Sequence, residues 1–377
     1  MSAVTPWART WRAEVHIVLA GGGTAGHIEP ALNLADALRR ADPDLAITAL
    51  GTARGLEVTL VPARGYELAL IPAVPLPRGP SRDLLSLPAR MMSAVSAAAE
   101  VIRRTGADAV VGFGGYVSLP AYFAARRLGV PIVVHEANAK AGLANRIGAR
   151  FTPHVVETVP GSLPHAVALG LPLRPAIAHL DRAALRDEAA ASFGLDPALP
   201  TLLVFGGSQG ARSLNAAVEN SGDSFADAGI QVLQAVGLRN ECPPGRSSSP
   251  ASVALHYIDR MDLAYAAADM ALCRSGAMTV AELTAVGLPA AYVPLPIGNG
   301  EQRLNAVPVV SAGGGLLVDD ADLTAEWLVS QLIPLLCNRD RLERASAAAG
   351  SLGRPDADQR LVEFVLGAVR SRRGTAV

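Results

Sequence analysis

Two doubly wound α/β domains, each built on a parallel sheet, are encoded in this chain. Its 377 residues exceed the roughly 100–200 of one ordinary domain. Short apolar runs alternate with helical stretches along the whole length, the pattern of parallel strands with crossover helices. A strand, glycine-loop, helix unit near the N-terminus also begins again at Thr201. Residues 1–13 carry no periodicity and read as a tail. Val15-His16-Ile17-Val18-Leu19-Ala20 is an apolar run ending in glycine, as a buried parallel strand does. The next helix is predicted over 30–40, with Pro30 where a missing N–H costs little and Arg39 and Arg40 at the C-terminal end of the dipole. Strands at 45–50, 68–71, 109–111 and 132–135 and helices at 84–104 and 119–128 follow. Leu171-Pro172-Leu173-Arg174-Pro175 reads as a hinge, since two prolines bar helix. The second domain has strands at 201–205, 231–233, 271–273 and 290–293, with helices from 211, at 261–268 and at 279–286. Residues 242–252 read as a loop tip and 358–370 as a last helix. The expected domains are 14–174 and 175–355.

Composition narrows the function. An apolar fraction of 50% excludes disorder, and a net charge of −1 provides no positive field for a nucleic-acid backbone. Cys242, Cys273 and Cys337 form neither a CxxC zinc pair nor a disulfide framework, which fits a reducing cytoplasm. The run at 15–20 is too short for a signal-peptide core and no stretch of about 18 apolar residues occurs, so the chain is not expected to span a membrane. Lys140, the single lysine, follows an alanine, which rules out the Gly-Lys-Ser/Thr of P-loop ATPases and GTPases.

Gly21-Gly22-Gly23-Thr24-Ala25-Gly26 matches G-x-G-x-x-G between a strand and a helix, where backbone N–H groups can cradle a phosphate. The ribose-gripping carboxylate of a dinucleotide site is missing after the second strand, which ends Ala49-Leu50-Gly51-Thr52, although Arg54 keeps an NADP reading open. A glycine turn used only for packing is the plain alternative. Gly112-Phe113-Gly114-Gly115-Tyr116 is a second loop and Gly206-Gly207-Ser208-Gln209-Gly210 a third. Three loops at strand ends suit a pair of ligands carrying several phosphates in a cleft between two domains, the geometry of a two-Rossmann sugar-nucleotide glycosyltransferase. His27, at a helix N-terminus that lowers imidazole basicity, is a candidate base; helix capping is the alternative. Glu282, in the first turn of a helix, is placed to accept both hydroxyls of a ribose, or is an ordinary N-terminal charge. The amides of residues 298–305 can read sugar hydroxyls. His135-Glu136 lacks the second histidine of HExxH, and Asp42-Pro43-Asp44 lies before a strand, so activity without a divalent ion is expected.

Seven segments in order resemble the MurG family of peptidoglycan transferases. They are Gly22-Gly-Thr-Ala-Gly-His27-Ile-Glu-Pro30, Gly112-Phe-Gly-Gly-Tyr-Val-Ser118, His135-Glu-Ala-Asn138, Gly206-Gly-Ser-Gln-Gly-Ala211, Tyr257-Ile-Asp-Arg-Met261, Cys273-Arg-Ser-Gly-Ala-Met-Thr-Val-Ala-Glu282 and Glu301-Gln-Arg-Leu-Asn-Ala306. The resemblance implies the GT-B fold, with the last helix, 356–371, packing back on the first domain. It implies inverting transfer of N-acetylglucosamine from UDP-GlcNAc to the C4 hydroxyl of the N-acetylmuramyl unit of lipid I, giving lipid II, with no cofactor and no metal. Carried over by position, Thr24, Ala25, Gly26, Asn138 and Arg174 meet the donor. Ser208 binds its diphosphate, Ile258 the uracil through its backbone, and Ala277, Met278 and Thr279 the phosphates. Glu282 takes the ribose and Gln302 the sugar hydroxyls. Gly23, Gly114, Gly115 and Tyr116 hold the acceptor's diphosphate, and His27 removes the C4 proton.

The chain departs from the family pattern at Ala25, Ala137, Leu171 and Gln234, which stand in place of glycine, glutamine, asparagine and histidine; these bear on affinity more than on reaction type. The implied acceptor is a lipid, so an anionic membrane surface on the cytoplasmic side of the cell membrane is an expected peripheral partner, and cell-wall synthesis proteins are another. Leu84, Leu85, Leu87, Met91 and Met92, with Arg78, Arg82, Arg90, Arg103 and Arg104, would form the docking face, each arginine contributing roughly 1 kcal/mol near anionic lipid. An amphipathic helix packed on the sheet is the alternative. Three other functions stay open: a UDP-sugar 2-epimerase, an NADP oxidoreductase and a silent sugar-nucleotide binding module.

Overall fold

The structure, a computed structural model, describes residues 15–74, 83–243 and 250–374. The expected tail and residues 244–249 of the expected loop tip lie outside the described residues. The chain divides into two compact units, Met1–Pro172 with Asp356–Val377, and Leu173–Pro355.

The first unit is a seven-stranded parallel sheet of β1 (His16–Gly21), β2 (Ala46–Gly51), β3 (Glu67–Leu70), β4 (Ala109–Gly114), β5 (Ile132–Glu136), β6 (Val155–Glu157) and β7 (Val167–Ala168), in the order β3-β2-β1-β4-β5-β6-β7. The central strands are buried on both faces, which is why they read as unbroken apolar runs. Its helices are α1 (Ala25–Ala41), α2 (Glu57–Ala63), α3 (Asp83–Thr105), α4 (Ser118–Leu128) and α5 (Leu143–Gly148). Helix α1 starts five residues before its predicted N-terminus and carries Pro30 inside it. The reason is local: the loop's own residues make the first turn, with the Thr24 carbonyl accepting from the N–H groups of His27 and Ile28. Strand β4 runs three residues past its predicted end, because Gly114 still pairs with Gly21. The C-terminal helix, Ala357–Gly374, buries Leu361, Val362, Val365, Leu366 and Val369 against α1 and the sheet. At roughly 1.5–3 kcal/mol for each fully buried side chain, that face suffices to hold it there. Ion pairs Arg40–Asp358 (2.5 Å) and Arg373–Asp108 (2.7 Å) fix its two ends.

The second unit repeats the plan with β8 (Thr201–Phe205), β9 (Gln231–Ala235), β10 (Ser252–Leu255), β11 (Met270–Cys273), β12 (Ala290–Tyr292) and β13 (Gly315–Leu317), ordered β10-β9-β8-β11-β12-β13. Its helices are α6 (Pro175–Ala178), α7 (Arg182–Phe193), α8 (Arg212–Glu219), α9 (Gly222–Asp227), α10 (Met261–Ala267), α11 (Ala277–Ala285) and α12 (Glu301–Ser311). Then α13 (Ala325–Trp327) runs through a π-helical turn, Leu328–Leu332, into α14 (Ile333–Leu336), followed by α15 (Arg339–Ser351). Helices α7 and α15, which the apolar pattern does not predict, are signalled by their caps: Asp181 accepts from Ala184 N–H and Asn338 from Arg341 N–H. The polar segment after Pro296 becomes α12 from Glu301 onward.

In both sheets the strand order reverses beside the first strand, between β1 and β4 and between β8 and β11. Those switch points open crevices at the carboxyl ends of the strands, where open α/β sheets bind ligands.

Candidate active site

At the switch point of the first unit the loops after β1 and β4 touch through their backbones. A Cβ on Gly115, whose φ is +81°, would lie 2.1 Å from the carbonyl oxygen of Gly22, so only glycine permits the approach. Ser118 joins the loops, its hydroxyl donating to the Ala20 carbonyl at 2.7 Å while accepting from Gly114 N–H at 2.9 Å. Thr24, Ala25 and Gly26 are exposed at the start of α1, where no side chain caps the helix. The N–H groups of Ala25 and Gly26 thus have no intrahelical acceptor and face a prospective anion.

His27 is the third residue of α1 and half-buried. Its Nδ1 lies 3.1 Å from the Thr24 hydroxyl, and its Nε2 faces Gly114, 3.1 Å from where a Cβ there would stand. Burial lowers the basicity of this imidazole, which is neutral at pH 7. Asn138 follows β5, where its backbone N–H donates to Glu136 at 2.9 Å. Glu136 also accepts from Gly142 N–H and from the Asn145 amide, whose oxygen takes the hydroxyl of Tyr122. Burial pushes the Glu136 carboxyl up, and these donors oppose it. The same Asn145 amide nitrogen comes within 3.5 Å of the Gly114 Cβ position, so the network reaches the glycine that His27 also faces. His135 is buried, its Nε2 against the Gly170 carbonyl, and it serves as a core residue.

Two donors expected for the acceptor's phosphates are already engaged. Gly23 N–H donates to Glu57 Oε2 at 3.1 Å and Gly114 N–H to Ser118, so these glycines contribute close approach and not their own donors. Glu57, fully buried, also accepts from the N–H and hydroxyl of Thr52. Desolvation raises its carboxyl, yet these hydrogen bonds outweigh it and hold the group below its usual range. Ser118 closes the second of the seven segments, whereas nothing in the spacing of the sequence singles out Glu57 or Asn145. Tyr116 is exposed, with its ring 3.4 Å from the Gly23 Cβ position.

The expected docking face divides. Met92 is exposed and Leu87, Arg90 and Met91 half-buried, while Arg103 and Arg104 sit in the last turn of α3, roughly 20 Å away along the axis. There they pair with Glu100 (3.8 Å) and Glu67 (2.9 Å), so they do not belong to one patch with Arg90. Arg78, Arg82 and the side chains of Leu84 and Leu85 lie outside the described residues. Among the described residues no helix is long and apolar enough to cross a membrane.

In the second unit the crevice is built around α11. Gly276 precedes it without a side-chain cap, leaving the N–H groups of Ala277, Met278 and Thr279 without intrahelical acceptors. Glu282 is buried, accepts the Tyr265 hydroxyl at 2.8 Å on Oε2, and has the Arg174 guanidinium 3.7 Å from Oε1. Tyr265, fully buried on α10, carries no signal in the sequence for this role; Arg182 holds its carbonyl at 3.0 Å. Ser208 is exposed on the β8–α8 loop, and Ile258 is buried. Gln302 uses its side-chain carbonyl to accept from Leu295 N–H, which leaves its amide nitrogen for a ligand. Gln234, in place of a histidine, donates to Asn215 at 3.1 Å. At the end of β11, Arg274 bonds the carbonyls of Val293 and Pro294 and pairs with Asp320, which also accepts from Ser213.

Two like units, each with a glycine loop and an uncapped helix at its switch point, one bearing a neutral histidine and the other a buried carboxylate, define a sugar-nucleotide glycosyltransferase of the two-Rossmann type. Comparison with known proteins sharpens this. The Glycosyltransferase family 28 N-terminal domain matches residues 17–156 and the family's C-terminal domain residues 201–361. The UDP-N-acetylglucosamine--N-acetylmuramyl-(pentapeptide) pyrophosphoryl-undecaprenol N-acetylglucosamine transferase of Streptomyces avermitilis is 63% identical, over 95% of this chain and 99% of its own. The enzyme of that name from Mycolicibacterium smegmatis is 58% identical over 96% of each. Among solved structures, Acinetobacter baumannii MurG superposes with a TM-score of 0.77 at 27% identity, covering 94% of this chain and 99% of that one. CalG4, the calicheamicin glycosyltransferase, shares the fold with a TM-score of 0.65 at 20% identity, covering 95% and 99%. The chain belongs to glycosyltransferase family 28 and, within it, to the MurG family, so the GT-B fold expected from the seven segments is the fold it has.

Proposed function

We infer that this protein transfers N-acetylglucosamine from UDP-GlcNAc to the C4 hydroxyl of the N-acetylmuramyl unit of lipid I, giving lipid II for peptidoglycan synthesis. The observation that carries this is 63% identity over nearly the full chain to a transferase of that name, with His27, Asn138, Arg174, Ser208, Glu282 and Gln302 in place despite the departures at Ala25, Ala137, Leu171 and Gln234.

The chemistry follows from the site. His27 Nε2 takes the C4 proton while Thr24 holds Nδ1 and with it the tautomer. The freed oxygen attacks the anomeric carbon, the bond to the β-phosphate breaks, and UDP leaves with inversion. The helix N-terminus at Ala277, Met278 and Thr279 faces the charge that develops on the leaving diphosphate, with Ser208 beside it. Glu282 accepts the ribose hydroxyls, its second oxygen steadied by Tyr265. The backbone of Ile258 reads the uracil, and the Gln302 amide meets a sugar hydroxyl. Thr24, Ala25, Gly26 and Asn138 complete the donor contacts. Gly23, Gly114, Gly115 and Tyr116 receive the acceptor. The protein works peripherally, at the cytoplasmic face of the cell membrane, through the start of α3, and in company with other cell-wall synthesis proteins.

The test is transfer of labelled N-acetylglucosamine from UDP-GlcNAc to a short-chain lipid I analogue with a chelator present. Lipid II analogue formed under those conditions supports donor, acceptor and metal independence together. Donor binding without product would refute the acceptor assignment.

A further inference from the structure

A cavity of about 490 Å³ opens in the first unit beside the two glycine loops, within the roughly 300–1,000 Å³ of small-molecule sites. Gly23 and Tyr116, both assigned above to the acceptor, form one wall. Arg54 and Arg90 line the others, together with Ile71 and Pro72, and among the described residues no carboxylate side chain lines it.

The charge balance of the loops gives this cavity a purpose. Gly23 N–H is donated to Glu57 and Gly114 N–H to Ser118, so neither can neutralise a phosphate. The ionised Glu57 lies directly behind Gly23 and repels an anion on the open side of that glycine. With the N–H groups of Ala25 and Gly26 assigned to the donor, Arg54 and Arg90 are, among the described residues lining the cavity, the side chains that can counter the charge of a diphosphate beside these loops. Arg90 reaches across to the Ala73 carbonyl at 3.4 Å, a long contact that leaves most of its five donors for a ligand. The apolar side of the cavity, with Ile71, Pro72 and the Tyr116 ring, suits hydrocarbon attached to the phosphate.

We propose that this cavity binds the prenyl-proximal phosphate and the first isoprene carbons of a polyprenyl diphosphate, with Arg54 and Arg90 as its anion-binding residues. The proposal rests on the lipid acceptor assigned under the proposed function.

The test uses the full chain, a short-chain acceptor analogue free of detergent and vesicles, and geranyl diphosphate as an inhibitor competing with that acceptor. Arg54→Gln and Arg90→Gln should each raise the acceptor KM and the geranyl diphosphate inhibition constant together by about tenfold, the weight of a charge-assisted hydrogen bond, with the UDP-GlcNAc KM unchanged. A raised acceptor KM with unchanged geranyl diphosphate inhibition would place the arginines on the acceptor's peptide carboxylates and overturn the proposal, as would no change in either. A donor KM that rises equally reports a disturbed fold. Arg54→Lys and Arg90→Lys, which keep the charge, then decide: restored geranyl diphosphate inhibition supports the site and unrestored inhibition refutes it. If the unmodified protein transfers nothing, the transferase reading fails by itself, and calorimetric binding of geranyl diphosphate to unmodified and Arg→Gln proteins still judges the cavity.

Discussion

Gly115→Ala separates the two first-unit loops by a distance the structure dictates. The new Cβ would stand 2.1 Å from the Gly22 carbonyl oxygen, and real Cβ atoms essentially never come within 3.0 Å, so the loops must part by about 0.9 Å (3.0 − 2.1). Gly22 is backbone of the loop that leads to His27, so the shift moves the acceptor loops against the base. A misplacement of about 1 Å costs roughly 10²-fold in rate. Left-handed backbone at φ +81° adds roughly 1–2 kcal/mol of strain. Gly129→Ala is the control: it shares that strain, at φ +65°, but its Cβ would meet nothing within 4 Å. Initial rates of transfer with the donor varied at saturating acceptor, with urea unfolding of each protein, separate contact from strain. Gly115→Ala should lose about 10²-fold in kcat with the UDP-GlcNAc KM unchanged, whereas Gly129→Ala should lose stability only. If Gly115→Ala turned over within about threefold of Gly129→Ala, the loop contact would have no catalytic weight and the argument would fail.

His27→Ala should lower kcat by roughly 10²–10⁴-fold. Because burial lowers the His27 pKa, its neutral form persists to more acidic pH, so the acid limb of kcat/KM should fall below the ordinary value near 6.5, and a limb above that value would point to another base. Glu282→Ala should weaken UDP-GlcNAc binding measured by calorimetry, and Tyr265→Phe should do so less, since it removes one hydrogen bond to the carboxylate and leaves both oxygens in place; equal donor affinity in Glu282→Ala would remove the ribose role. Burial pushes His135 down from 6.5 to about 4, so the unfolded chain binds the extra proton between those values, and stability falls as pH drops through that window. At 1.36 kcal/mol per pH unit the ceiling is about 3 kcal/mol, and His135→Gln, which keeps a donor for the Gly170 carbonyl, should flatten that part of the stability profile measured by urea unfolding.

Most strands and the loops at the switch points are legible in the sequence because their signals are local. An apolar run such as residues 201–205 needs no partner to announce a buried strand, and glycine where φ is positive announces its turn. The beginning of α1 misleads for the same reason: Pro30 is a strong local signal for a first turn, yet loop residues close that turn five positions earlier. Short elements such as α2 and β13 carry too few residues for any period to emerge. The docking face shows the limit of helical periodicity, which cannot see that Glu67, on a different element, pairs with Arg104.

Residue identity alone determined the chemistry this chain can perform: which side chains can take a proton, accept a ribose or approach a phosphate. Only the tertiary structure decided which of those groups are still available. Glu57 is 34 residues from Gly23 in sequence and consumes its N–H; Tyr265 is 17 residues from Glu282 and claims one of its oxygens. Hydrogen-bonding capacity belongs to each residue, but its use is settled by long-range packing, since every buried donor must find an acceptor wherever the fold brings one.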